Sequence, residues 1–132
     1  MQKLLCGSAL MFSASVAFAG QLVVPEGYSD FRSPGSIVVD RPMSMVLEQV
    51  TAFPESLGGK PELTLKSWIS DENRLVIDIV ETGFLDDSVK GANRLFEFTE
   101  TADGKYKLET YGYRQQCYRG GDPNVWVAEP CL

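Results

Sequence analysis

The sequence predicts an α+β domain: one N-terminal helix packed on an antiparallel sheet of about four strands, with a C-terminal loop closed by a disulfide. Three observations carry that reading. Met43 to Phe53 repeats its apolar residues at helical spacing. Beyond Pro61 the apolar residues fall instead in short β-branched and aromatic runs separated by turn formers. Cys117 and Cys131 stand late in the sequence and form an even pair once Cys6 is removed with a leader.

Residues 1–19 have the three parts of a secretory leader. Lys3 is the basic start, Leu4 to Phe18 is uncharged and apolar, and Ala17-Phe18-Ala19 offers small residues where signal peptidase reads them. The stretch is shorter than a bilayer span and is broken by Gly7, Ser8, Ser13 and Ser15, which argues against a retained anchor. Cys6 lies before most of the apolar stretch and follows Leu5, unlike a lipidated cysteine. Residues 20–132 then read as a single small domain, periplasmic or secreted, with no integral membrane segment after cleavage.

Gly20 to Gly35 is rich in turn formers and reads as a lead-in arm, with a short strand at Leu22 to Val24. Ile37-Val38-Val39 is a β-branched run and a first strand. Asp40 is positioned to cap a helix that has Pro42 in its first turn, where a missing N–H is harmless. Met43, Val46, Leu47, Val50 and Phe53 make one apolar stripe, and Phe53-Pro54 ends it because the residue before proline avoids the helical region. Met43 and Met45 admit a soft binding face, but a core stripe accounts for them more simply. Gly58-Gly59-Lys60-Pro61 is a turn.

Leu63 to Ile69 and Leu75 to Val80 read as strands joined by Ser70-Asp71-Glu72-Asn73. Leu75, Ile77 and Ile79 share one face while Val76 and Val80 flank Asp78 on the other, so the second strand belongs inside the sheet. Thr82 to Gly91 is a loop or strand crossing. Arg94 to Thr101 and Tyr106 to Arg114 form a hairpin around Ala102-Asp103-Gly104, with Gly104 left-handed. That register sets Phe98 opposite Leu108, with Phe96 on the same face. Leu108, Tyr111 and Tyr113 break a period of two, and a β-bulge near Glu109 and Thr110 reconciles them. Arg119 to Leu132 is a loop folded back under the disulfide.

A resemblance rests on two stretches: Asp86, Asp87, Ser88 and Val89, and then Gly104, Cys117, Gly120, Trp126 and Cys131. With these residues the chain resembles a group of small exported bacterial proteins that have an Asp-Asp-Ser-Val loop and a terminal Cys-x-x-Gly…Trp…Cys segment. The likeness covers roughly the last fifty residues. It departs after the first cysteine, where the group carries Arg-Gly-Arg-Gly-His and this chain has Arg119-Gly120-Gly121-Asp122-Pro123. The resemblance implies fold, export and disulfide, and transfers no activity.

Charge and residue types narrow the function. The net charge is −6, and loss of Lys3 with the leader makes it more negative, which disfavours nucleic acid and anionic lipid as partners. Histidine is absent from all 132 residues, which removes Ser-His-Asp and Cys-His catalysis and histidine-ligated zinc. Cys117 and Cys131 lack the close spacing of a redox pair and read as a structural bridge worth about 3 kcal/mol. No glycine-rich phosphate loop is present, and no cofactor or metal is expected. Asp86 and Asp87, with Asp78 and Glu81 upstream, admit a carboxylate hydrolase. Adjacent loop acids fix no separation, however, and more simply are solvated or cap the turn.

The first expectation is therefore a non-enzymatic binding or accessory protein of the bacterial cell envelope, meeting a protein or other envelope partner through the sheet edge or the C-terminal loop. The alternative is a small secreted inhibitor of a basic enzyme of lysozyme or protease type, and a carboxylate hydrolase comes last. Tyr113, Arg119 and Trp126 are the candidate binding residues, since Tyr, Arg and Trp dominate interface hot spots. Arg114 and Arg119 are expected to pair with Glu97, Glu100 or Glu109, and Trp126 competes for a second role as a plug over the sheet. The exported protein is expected to begin at Gly20, which the intact mass of periplasmic material checks. Met1 retained on exported chains refutes the leader.

Overall fold

The computed structural model describes residues 21–50, 60–83 and 87–132. The expected leader, Phe53 of the expected helical stripe, the expected Gly58-Gly59 turn and Asp86 lie outside the described residues. In chain order the elements are β1 (Val38–Val39), α1 (Pro42–Val50), β2 (Glu62–Ile69), β3 (Leu75–Thr82), β4 (Val89–Glu100) and β5 (Tyr106–Cys117). The strands form one antiparallel sheet in the order β1-β5-β4-β3-β2.

Two expectations need correcting. The sheet has five strands where about four were expected, and the helix is not N-terminal because β1 precedes it. The cause is the Val38-Val39 pair, whose branched side chains suit a pleated edge and which pairs with Lys107 and Tyr106 before Pro42 opens the helix. Met45 N–H donates to the Arg41 carbonyl at 3.2 Å, so Arg41, not Asp40, takes the N-cap position and Pro42 stands at the first helical residue.

The core lies between α1 and one face of the sheet. Ile77, Ile79, Phe96, Phe98, Leu108 and Tyr111 meet Val46 and Val50 there, with Met43 and Met45 packed alongside. Phe98 lies opposite Leu108 as the hairpin pattern requires, with Gly104 at φ 78° in the connecting turn. Glu97 pairs with Thr110 and Phe98 with Leu108, leaving Glu109 as the extra residue of a bulge. Without that bulge Tyr111 would face away from Phe96. With it, their rings meet edge-on, centroids 5.3 Å apart.

The outer edge of β5 is covered in pieces. Leu108 N–H donates to the Ile37 carbonyl at 3.0 Å and Tyr111 N–H to the Val23 carbonyl at 3.0 Å. Tyr113 and Ser29 exchange bonds of 2.9 and 2.8 Å, and Gln115 and Val127 exchange two of 2.8 Å. The lead-in arm and the tail are thereby fixed to the same strand.

Two left-handed glycines separate backbone strain from crowding. Gly104 has φ 78° and open space where a Cβ would stand, so Gly104→Ala carries only the left-handed penalty, about 1–2 kcal/mol. At Gly83, φ 79°, a Cβ would overlap the Lys60 carbonyl and force the β2 entry to move. Gly83→Ala is expected to cost about 2–5 kcal/mol, adding overpacking to the same penalty. Urea unfolding of both variants checks the order, and equal losses contradict it.

Candidate functional site

The C-terminal loop is held by covalent and hydrogen bonds together. Cys117 and Cys131 are disulfide-bonded, with Cα atoms 5.4 Å apart. Inside the bridge, Val127 pairs with Gln115, and the Gln115 side chain accepts from Cys131 N–H at 3.2 Å and donates to the Tyr113 hydroxyl at 2.7 Å. At the far end Asp122 organises a turn: its carboxylate accepts from Asn124 N–H at 2.9 Å and its carbonyl from Val125 N–H at 3.2 Å. Lys90 donates to the Asn124 side chain at 2.8 Å and Gln116 to the Asn124 carbonyl at 3.2 Å, tying that turn back to β4 and β5. An open depression of about 460 Å³ lies on the loop, lined by residues that include Arg119, Asp122, Val125 and Val127.

The three candidate binding residues separate. Arg119 is exposed, and its guanidinium approaches exposed Asp87 at 3.3 Å instead of the expected glutamates. Tyr113 is only 3 % exposed: the bulge turns it onto the helix side, under Phe31, where no partner reaches it. Trp126 packs on the sheet, its ring 5.3 Å from the Arg114 guanidinium and close against Gly91. The tail instead exposes Tyr118 and Val125 beside Arg119.

Arg114 meets two aromatic rings on the sheet face away from the helix. The Arg114 guanidinium lies 4.4 Å from the Tyr28 ring centroid, and the Arg114 Nε donates to Asn93 Oδ1 at 2.7 Å. Asn93, fully buried, donates from Nδ2 to Asp78 at 2.6 Å and to the Ile79 carbonyl at 2.9 Å. Gly112 allows this, because a Cβ there would stand 2.6 Å from the Tyr28 ring. A glycine inside a strand run marks such close approach, so this contact was signalled at Gly112 and missed.

On the opposite face Arg94 donates to Glu81 at 2.6 Å, both side chains under a tenth exposed, and the Arg94 guanidinium lies 5.4 Å from the Tyr113 ring. Burial pushes the Glu81 carboxyl above the usual glutamate range, with Arg94 and Arg32 pulling only partly back. Burial also pushes the Tyr111 hydroxyl up to about 12, where it donates to the Phe31 and Arg32 carbonyls. Glu81 ties β3 to β4, and Tyr111 ties the arm to the sheet. Among the described residues no three His, Cys, Asp or Glu converge to hold a metal. Asp87 stands in solvent, with Arg119 as its ion-pair partner.

The chain matches no family model, no curated protein and no solved structure in the three comparisons made.

Arg94→Met leaves the Glu81 carboxylate buried without its cation and is expected to lower stability by about 3–5 kcal/mol at neutral pH. Glu81→Gln keeps an acceptor for Arg94 but leaves its buried charge uncompensated, and is expected to be destabilising as well. The pH profiles distinguish the roles. The folded pKa of Glu81 is raised, so the stability this group contributes is fully present below about pH 4.3 and is lost as pH rises through the folded value. The Gln variant lacks that loss, so its stability relative to wild type should rise across the same window. Denaturant unfolding between about pH 4 and 7 checks this, and a constant difference contradicts it.

Proposed function

We propose that the protein is an exported, non-enzymatic binding or accessory domain of the cell envelope that grips a protein partner with its bridged C-terminal loop. One observation supports this most. Residues 117–132 are fixed by the disulfide, the Gln115–Val127 bridge and the Asp122 turn, yet Tyr118, Arg119 and Val125 project from them into solvent. A loop already held in one conformation loses little entropy on docking. Tyr and Arg supply large contact area with polar handles, the residue types that dominate hot spots. The disulfide is compatible with an oxidising compartment.

Within this reading Arg119 keeps the role assigned from sequence, while Tyr118 and Val125 take the places of Tyr113 and Trp126. Capture from envelope extract with wild type, Arg119→Glu and Val125→Asp, each checked by circular dichroism, tests it. Both variants should fold and lose the partner by about tenfold or more in affinity. Folded variants that retain every wild-type partner remove the loop as the recognition surface. Trp126→Ala should instead loosen the fold, because the indole covers Arg114 and Gly91.

A further inference from the structure

The sheet's two edges are treated oppositely. The β5 side is covered by β1, the arm and the tail, whereas among the described residues β2 ends the sheet with no strand beyond it. The register of β2 on β3 runs without a bulge from Glu62 opposite Thr82 to Ile69 opposite Leu75, and no proline interrupts it. Every β2 residue except Leu65 is exposed, including Leu63, Trp68 and Ile69 at 45, 47 and 61 %. A long, bulge-free edge with exposed apolar side chains is a template for another strand, and natural edges usually carry a device that prevents pairing. Here Lys66 is the one basic residue in the strand.

Backbone alternation shows which groups are offered. The β2–β3 hairpin closes with Ser70 N–H donating to the Arg74 carbonyl at 2.9 Å. Counting back by twos, Trp68, Lys66, Thr64 and Glu62 bond inward to β3. Leu63, Leu65, Ser67 and Ile69 therefore turn their N–H and C=O groups outward. Side chains follow the same alternation, so Glu62, Thr64, Lys66 and Trp68 share the face away from the helix.

We propose that β2 pairs antiparallel with β2 of a second copy of this chain, about a two-fold axis at Thr64, joining the two sheets into one. The charges select that register. Centred on Thr64, Glu62 stands opposite Lys66 of the second copy. On the other face Leu63 stands opposite Leu65 of the second copy, and the two exchange backbone bonds through their outward groups. The two-fold axis repeats each of these pairs. Centring on Lys66 would oppose two lysines, and centring on Leu65 would leave Glu62 against Trp68 and Lys66 against Thr64. The lysine that would repel a neutral intruder thus becomes half of an ion pair in this one register. The contact uses the edge remote from the C-terminal loop, so it stands or falls independently of that surface.

The test is sedimentation of the exported, disulfide-intact protein, with a charge swap. Wild type should sediment as a dimer between about 1 and 100 μM. Glu62→Lys and Lys66→Glu should each weaken the dimer by about tenfold or more, and the double variant should recover wild-type affinity. Leu63→Pro removes an outward N–H that β3 does not use and should give a folded monomer. A wild type that stays monomeric at about 100 μM overturns the proposal and leaves the edge to an extended peptide of another protein. So does a double variant as weak as the singles, or a dimer that survives Leu63→Pro.

Discussion

A twelve-residue strand running through the interior must place a partner beside the N–H and C=O groups of both its edges, and β5 has only one neighbour long enough to do so. β4 satisfies one side. On the other, Ile37, Val23, Ser29 and Val127 each supply one carbonyl, drawn from stretches far apart in sequence. An unpaired buried backbone group costs about 1–3 kcal/mol, so leaving that edge bare would offset much of what a domain this small can gain. The irregular course of the arm follows from this: it turns at Pro25-Glu26-Gly27-Tyr28 and again at Asp30-Phe31-Arg32-Ser33 so that short extended pieces meet the strand at the right rows.

The same strand decides how each sheet face closes. The bulge at Glu109 keeps Leu108, Tyr111 and Tyr113 on the helix side and sends Gly112 and Arg114 to the other. The β4–β5 pair then carries one arginine on each face, and the two are accommodated differently. Arg94 has side-chain exposure of only 8 %, so it needs a full counter-charge and has Glu81. Arg114, only half-buried, has its guanidinium near the Tyr28 and Trp126 rings and one hydrogen bond to Asn93. A planar, weakly hydrated cation suits contact with two rings, where a lysine would not replace it.

Much of this was legible because it is local. Periodicity located the helix at Val46 and Val50, alternation located β3, and the broken period at Leu108, Tyr111 and Tyr113 located the bulge. The disulfide followed from cysteine parity. What stayed hidden depends on segments distant in sequence. Arg114 reads as a surface charge until Tyr28, from the arm, is placed against it, and Tyr113 reads as an interface tyrosine until Phe31 covers it. Polar residues at inward positions of apolar strands, Glu81, Asn93 and Arg94, were the signal that buried pairs existed, but no pattern in one strand names its partner in another.

The tail shows how stability and recognition become coupled. Residues 118–122 are exposed, and the loop contributes little beyond Trp126 and Val127 to any packed surface. The two Gln115–Val127 bonds add about 1 kcal/mol each, whereas ordering each residue of a free tail costs about 1–2 kcal/mol of backbone entropy. Hydrogen bonds alone would leave the tail loose. The Cys117–Cys131 bridge, 14 positions apart, removes about 3 kcal/mol of that disorder from the unfolded chain and spares the loop a buried core of its own. Because the staple does that work, Tyr118, Arg119 and Val125 need not turn inward to hold the loop in place. The covalent bond that completes the cover of β5 is therefore also what leaves a shaped, solvent-facing surface beside it.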